Sequence, residues 1–233
     1  MNKWGLLLAG LVLSGCVVIV DTADGLMESA THSGKHGHSH PTHAVNQPIH
    51  TEPGSRHGRL TSVNGGIHLA QGSRAAMVRS VNGGVRTEDS VRISELQLVN
   101  GRLRGGPQLR VSGPVKLTNG GASLQPGSHI TGSLTSVNAR VELNQTRLDG
   151  PYLGSNGDLD TGPGSRLQSG IHYRAVAEED RQRNTPEVTI GAGSHVAGTL
   201  RFDRPVKLRV HRSARIGDVQ GAQLEWFGSL EPS

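Results

Sequence analysis

An all-β fold, a parallel β-helix of about nine coils, is what this 233-residue sequence predicts, and three observations predict it. A six-residue unit recurs at a fixed interval. Apolar residues between the copies alternate with period two. Large side chains are scarce, with aromatics at 3% of the chain against 33 glycines. Period-two alternation marks a strand whose side chains face opposite ways in turn, and a short fixed repeat marks a solenoid.

The repeat is plain in Ser62-Val63-Asn64-Gly65-Gly66-Ile67, which returns as Ser80-Val81-Asn82-Gly83-Gly84-Val85. Looser copies are Leu98-Val99-Asn100-Gly101-Arg102-Leu103, Leu117-Thr118-Asn119-Gly120-Gly121-Ala122, Ser136-Val137-Asn138-Ala139-Arg140-Val141 and Gly154-Ser155-Asn156-Gly157-Asp158-Leu159. The asparagines stand 18, 18, 19, 19 and 18 residues apart. A second mark, Gly-Ser, runs in parallel at Gly54-Ser55, Gly72-Ser73, Gly127-Ser128, Gly164-Ser165 and Gly193-Ser194, with Arg212-Ser213 as a weaker copy. The 29 residues from Ser165 to Ser194 require an insertion of about ten, placed in the charged stretch near 175–186.

Parity identifies the strands. Four residues before the asparagines stand Leu60, Val78, Leu96, Val115, Leu134 and Tyr152. Three after them stand Ile67, Val85, Leu103, Ala122, Val141 and Leu159. An 18- or 19-residue unit is too short for two packed helices but suits one coil of two or three short strands. Nine coils at the ~4.8 Å strand spacing make a rod on the order of 45 Å long. The narrow bore explains the shortage of aromatics. By the same parity Asn64, Asn82, Asn100, Asn119, Asn138 and Asn156 point inward, where stacked amides form a ladder. The alternative is that Asn stands there because it tolerates left-handed φ before Gly.

The N-terminus reads as an address. Lys3 precedes the apolar run 5–13, too short to span a bilayer and of the length of a secretory core. Leu13-Ser14-Gly15-Cys16 follows and resembles the lipobox of bacterial lipoproteins. That resemblance implies cleavage after residue 15 and acylation of Cys16; the alternative is a plain secretory signal with an incidental cysteine. Val17 in place of Asp favours the outer membrane of a Gram-negative cell. Cys16 is the only cysteine, so a disulfide framework is excluded.

Residues 16–52 read as a lipidated cysteine and a His-rich tether, with residues 53–233 as the β-helix domain. His32, His36, His38, His40 and His43 are candidate ligands for Zn²⁺, Cu²⁺ or Ni²⁺, since neutral imidazoles on one chain can gather around such ions. Against this stand the absence of a cysteine partner and of a rigid surround, which favour a polar tether without cofactor. The formal charge of +5 falls to +4 once residues 1–15 are removed, and the arginines read as scattered through the body. Five aromatics then remain, too few for a base-stacking platform, so nucleic acid is excluded as a partner. Anionic envelope polymers, or another envelope protein, are the expected partners besides the membrane.

No nucleophile elbow or phosphate loop occurs. Asp158 and Asp160, with Asp149 a half-coil earlier, are the acids a glycan-active β-helix enzyme would need, but they read as solvated turn residues. His129 and His195 read as outward rung residues, and Leu224-Glu225-Trp226-Phe227 as a cap over the open end.

The S-V-N-G-G-[I/V] unit resembles bacterial adhesin-like β-solenoid families, including the "head GIN" type, over most of residues 53–221. The resemblance implies a right-handed parallel β-helix on the cell envelope. The expected function is therefore non-enzymatic binding, adhesion or scaffolding by a lipid-anchored rod. Metal buffering by the tether is the alternative, and a glycan-active enzyme a weaker one.

Overall fold

The computed structural model describes residues 42–177 and 185–229. Within them twenty-four strands, from β1 (Thr42–Val45) to β24 (Leu224–Phe227), form one sheet that winds as a β-solenoid of about nine turns. No helix occurs among the described residues. Each turn has three walls. In one early turn the strand Arg74–Val81 supplies the first and second walls around a bend, and Val85–Thr87 supplies the third. Every pairing is parallel and joins a strand to its equivalent one turn away, for example Leu60 to Val78 and Val78 to Leu96.

The alternating residues line the bore as anticipated. Leu60, Val78, Leu96 and Val115 stack on the second wall and are fully buried. Ile67, Val85, Leu103 and Ala122 stack on the third. Ala75, Ile93, Val111 and Ile130 stack on the first. Each aliphatic side chain so enclosed contributes about 1.5–3 kcal/mol of hydrophobic stabilisation, and neighbouring coils share it.

Three expectations need correction. Among the described residues the solenoid already includes β1, ahead of residue 53: Ala44-Val45-Asn46 and Ile49 are a degenerate copy of the repeat, and Val45 and Ile49 pair with Val63 and Ile67. The bore also admits aromatics. Tyr152, Tyr173 and Phe202 are buried in it with ring centroids 5.8 and 5.9 Å apart. Gly154 makes the room, since a Cβ there would lie 2.8 Å from the Tyr173 ring. The asparagines, finally, do not point inward, for a reason given below.

The long interval is accommodated between the second and third walls. Fourteen residues lie between Tyr173 and Val188, where four lie between their partners Gly154 and Leu159. Residues 178–184 of that insertion lie outside the described residues. In two successive coils the second and third walls join into continuous ten-residue strands, Val115–Leu124, which keeps Gly120-Gly121, and Leu134–Leu143, which carries Ala139-Arg140 in its place. The Leu224–Phe227 segment is the last parallel strand and not a separate plug. Leu224 and Trp226 sit over Leu208 and Val210 at the end of the bore, with Trp226 45% exposed.

Candidate binding surface

The Gly-Ser mark is a corner of the solenoid. Gly54, Gly72, Ser90, Gln108, Gly127, Gln145, Gly164 and Gly193 occupy it with φ between 43° and 79°, the left-handed region that glycine adopts most readily. The next residue tucks in, and Ser73, Ser128, Ser165 and Ser194 are buried. The residue after that begins the first wall and points out. In each of the nine described rungs it is Arg or His.

Arg56 pairs with Arg74, Arg74 with Arg92, and Arg92 with Arg110. Arg110 pairs with His129, and His129 with Arg147. Arg147 pairs with Arg166, Arg166 with His195, and His195 with Arg215. These arginines read as scattered along the chain, but the fold collects seven of them, with two histidines, into one file. A signal was present, because Arg or His follows the corner residue pair in each repeat. It is obscured where Gly-Ser is replaced, as in Ser90-Val91-Arg92 and Gln108-Leu109-Arg110.

Like charges directly opposite each other on a sheet are destabilising. At the ~4.8 Å rung spacing two unit charges repel by a little under about 1 kcal/mol in water. Little on the surface offsets this. Among the described residues Arg56, Arg74, Arg92, Arg110, Arg166 and Arg215 have no ion-pair partner. Asp149 is the exception beside the file, bound by His129 Nε2 at 2.7 Å and Arg147 Nε at 2.6 Å. The His129 hydrogen bond first, and Arg147 second, hold its carboxyl below the usual range. The second wall repeats the device, with Asp203 bound by His172 at 2.7 Å and Arg201 at 2.8 Å.

A groove of about 680 Å³ runs beside the first five residues of the file, Arg56 to His129. Ala76, Ser94, Ser112 and Thr131 form its other edge, all short side chains. The third wall is differently charged. His50, His68, Arg86 and Arg104 occupy its early rungs, and Glu142 and Asp160 later ones.

The asparagines form an exposed ladder on the corner between the second and third walls. Each Nδ2 donates to the Oδ1 one coil earlier: Asn64 to Asn46 at 2.9 Å, Asn82 to Asn64 at 2.9 Å and Asn100 to Asn82 at 2.8 Å. Asn119 and Asn138 continue it at 3.0 Å each. Asn46 is a rung that the sequence reading omitted. All six have φ between 51° and 58°. A left-handed residue breaks the alternation of a strand, so the amide swings outward although Ser62 and Ser80, two residues before, are buried. Asn156 is not a rung. Its Oδ1 accepts from the guanidinium of buried Arg204, which also donates to the Ser155 carbonyl at 2.8 Å.

Cys16, His32, His36, His38 and His40 lie outside the described residues. His43 stands on β1 opposite Thr61, on an outward second-wall position. Among the described residues no three His, Cys, Asp or Glu side chains are grouped to hold a metal ion. The three acids weighed for chemistry all serve the framework or its charges. Asp158 accepts from the Glu187 backbone N–H at 3.0 Å, Asp160 from the Gly162 N–H at 2.8 Å, and Asp149 as above. Compared with known protein families, characterised proteins and solved structures, the chain matches none.

Proposed function

We propose that this chain is a lipid-anchored cell-envelope protein whose solenoid binds or scaffolds without catalysing a reaction. One observation carries the reading: a stiff, continuously hydrogen-bonded rod presents the same type of side chain at every rung of its first wall. Such a surface suits an extended or repeated partner, because each rung adds an equivalent contact. The lipobox-like Leu13-Ser14-Gly15-Cys16 supports the anchor. Twenty-five residues separate Cys16 from Thr42, a contour of at most about 90 Å, so an anchored rod has reach from the membrane. Val17, and not Asp, beside the cysteine favours the outer membrane. The framework roles of Asp149, Asp158 and Asp160 support the non-enzymatic reading.

Cell fractionation of the wild-type chain and of Cys16→Ala tests it. The wild type is expected in the membrane fraction, with acyl chains on its N-terminal peptide by mass spectrometry, and the variant is expected free of both. A wild type without acylation, or a variant that fractionates identically, would overturn the anchor. Protease shaving of intact cells then reads which way the rod faces. Cleavage that spares a periplasmic control supports adhesion, and protection until the outer membrane is opened supports a periplasmic scaffold.

A further inference from the structure

We infer that the first wall is a binding site for a linear acidic polysaccharide, one bearing a carboxylate on each sugar, laid along the rod with its charges opposite successive rungs. The inference rests on the binding-rod reading above and names the class of partner and the surface that takes it.

Four features converge on that ligand. The arginines and histidines form a single file, and the nine rungs from Arg56 to Arg215 span roughly 40 Å at the strand spacing. A linear polyanion fits such a file; a compact one would meet only two or three rungs. Seven of the nine are arginines, whose planar forks take carboxylates in bidentate fashion and whose charge does not titrate away. The file has a trough beside it, where Ser94, Ser112 and Thr131 place hydroxyls next to Arg92, Arg110 and His129. Those hydroxyls suit the hydroxyl-rich rings of a sugar chain. Finally, no aromatic side chain lies on this wall: Tyr152, Tyr173 and Phe202 are in the bore, and Trp226 and Phe227 are on the last strand of the third wall. Single-stranded nucleic acid relies on aromatic platforms for its bases, so the surface favours a sugar polymer over it. A bilayer, in turn, would meet a recessed trough whose larger apolar residues, Ile93 and Val111, are buried in the bore and whose exposed Ala76 is too short to insert.

The cations are unpaired by protein carboxylates over most of the file. A bound polymer would supply the missing anions and relieve the repulsion between rungs, with affinity growing as more rungs are engaged.

The test uses the full chain in detergent solution and oligogalacturonides of increasing length, with neutral dextran, a single-stranded oligonucleotide and anionic phospholipid vesicles as the other probes. Affinity is expected to rise at least tenfold from three sugars to about nine, to weaken with added salt, and to be absent for dextran. Arg74→Gln/Arg92→Gln/Arg110→Gln is expected to lose at least tenfold. Arg79→Gln/Lys116→Gln/Lys207→Gln removes three exposed cations from the other walls, and is expected to lose less than threefold. Equal losses in the two triple variants would show net charge alone and overturn the site. No gain with oligosaccharide length, or tighter binding of the oligonucleotide or the vesicles, would overturn the ligand class. Thermal unfolding of both variants at or above the wild-type temperature excludes a folding defect. Failure of these tests leaves acylation of Cys16 and membrane fractionation untouched, so it is distinguishable from failure of the envelope reading.

Discussion

Asn100 does two things at once. Its φ of 54° places it in the left-handed region, and its amide both donates to Asn82 and accepts from Asn119. Asparagine suits both demands, since its short amide tolerates that backbone and carries a donor and an acceptor. The two contributions separate by substitution. Asn100→Ala loses the ladder and strains the backbone, and is expected to lower stability by about 2–3 kcal/mol; Asn100→Gly loses only the ladder and its chain restriction, about 1–2 kcal/mol. Urea denaturation of the two variants checks this, and equal losses would mean that φ has no energetic weight here. The glycine that follows has a different role. A Cβ at Gly83 would overlap the carbonyl oxygen of Gly65 in the coil before, so close stacking of coils, not a left-handed backbone, keeps this position small.

At the scale of the strands, the aromatic step in the bore shows how one coil adjusts to its neighbours. Tyr152, Tyr173 and Phe202 occupy three successive coils, and Gly154 opposite Tyr173 vacates the volume that the ring needs. The Tyr173 hydroxyl donates to the Gly157 carbonyl at 2.7 Å, which satisfies it in a buried site. Burial pushes both phenols up, Tyr173 well above its usual value of 10.0. A pKa raised by folding means that this contribution to stability is complete below pH 10 and is lost as pH rises through the folded values. These are the only two tyrosines, so phenolate absorbance reports them alone. The folded chain is expected to show little phenolate at pH 10, where the urea-unfolded chain is half-ionised. A half-ionised folded chain at that pH would contradict the buried stack.

For the whole molecule, the first-wall file sets a long row of like charge against the cooperativity of the stacked coils. Removing a central charge relieves repulsion from both neighbours. Arg92→Gln is therefore expected to raise stability at low ionic strength by up to about 1–2 kcal/mol, an effect that shrinks as the Debye length falls to about 3 Å at 1 M salt. Thermal unfolding at the two salt concentrations measures it. A variant less stable at low salt would mean that the Arg92 stem contributes more by packing along the wall than its charge takes away.

The sequence by itself determined the coil. The spacing of Asn64, Asn82 and Asn100 and the period-two placement of Leu60, Val78 and Leu96 specify parallel strands, coil length and core residues, because periodicity is a local property that stacking only multiplies. It also located the insertion, since a break in a fixed period is legible without a structure. The first coil was missed because Ala44-Val45-Asn46-Gln47-Pro48-Ile49 keeps only the Val-Asn and Ile of the motif inside a His-rich stretch. Which way the asparagines point was decided by the corner: one left-handed residue reverses parity, and parity counted along the chain does not register it. The candidate surface was decided by the same long-range stacking. Arg56, Arg74, Arg92 and Arg110 stand 18 residues apart in the chain, where their charges scarcely interact, and only the winding of the solenoid brings them to neighbouring rungs.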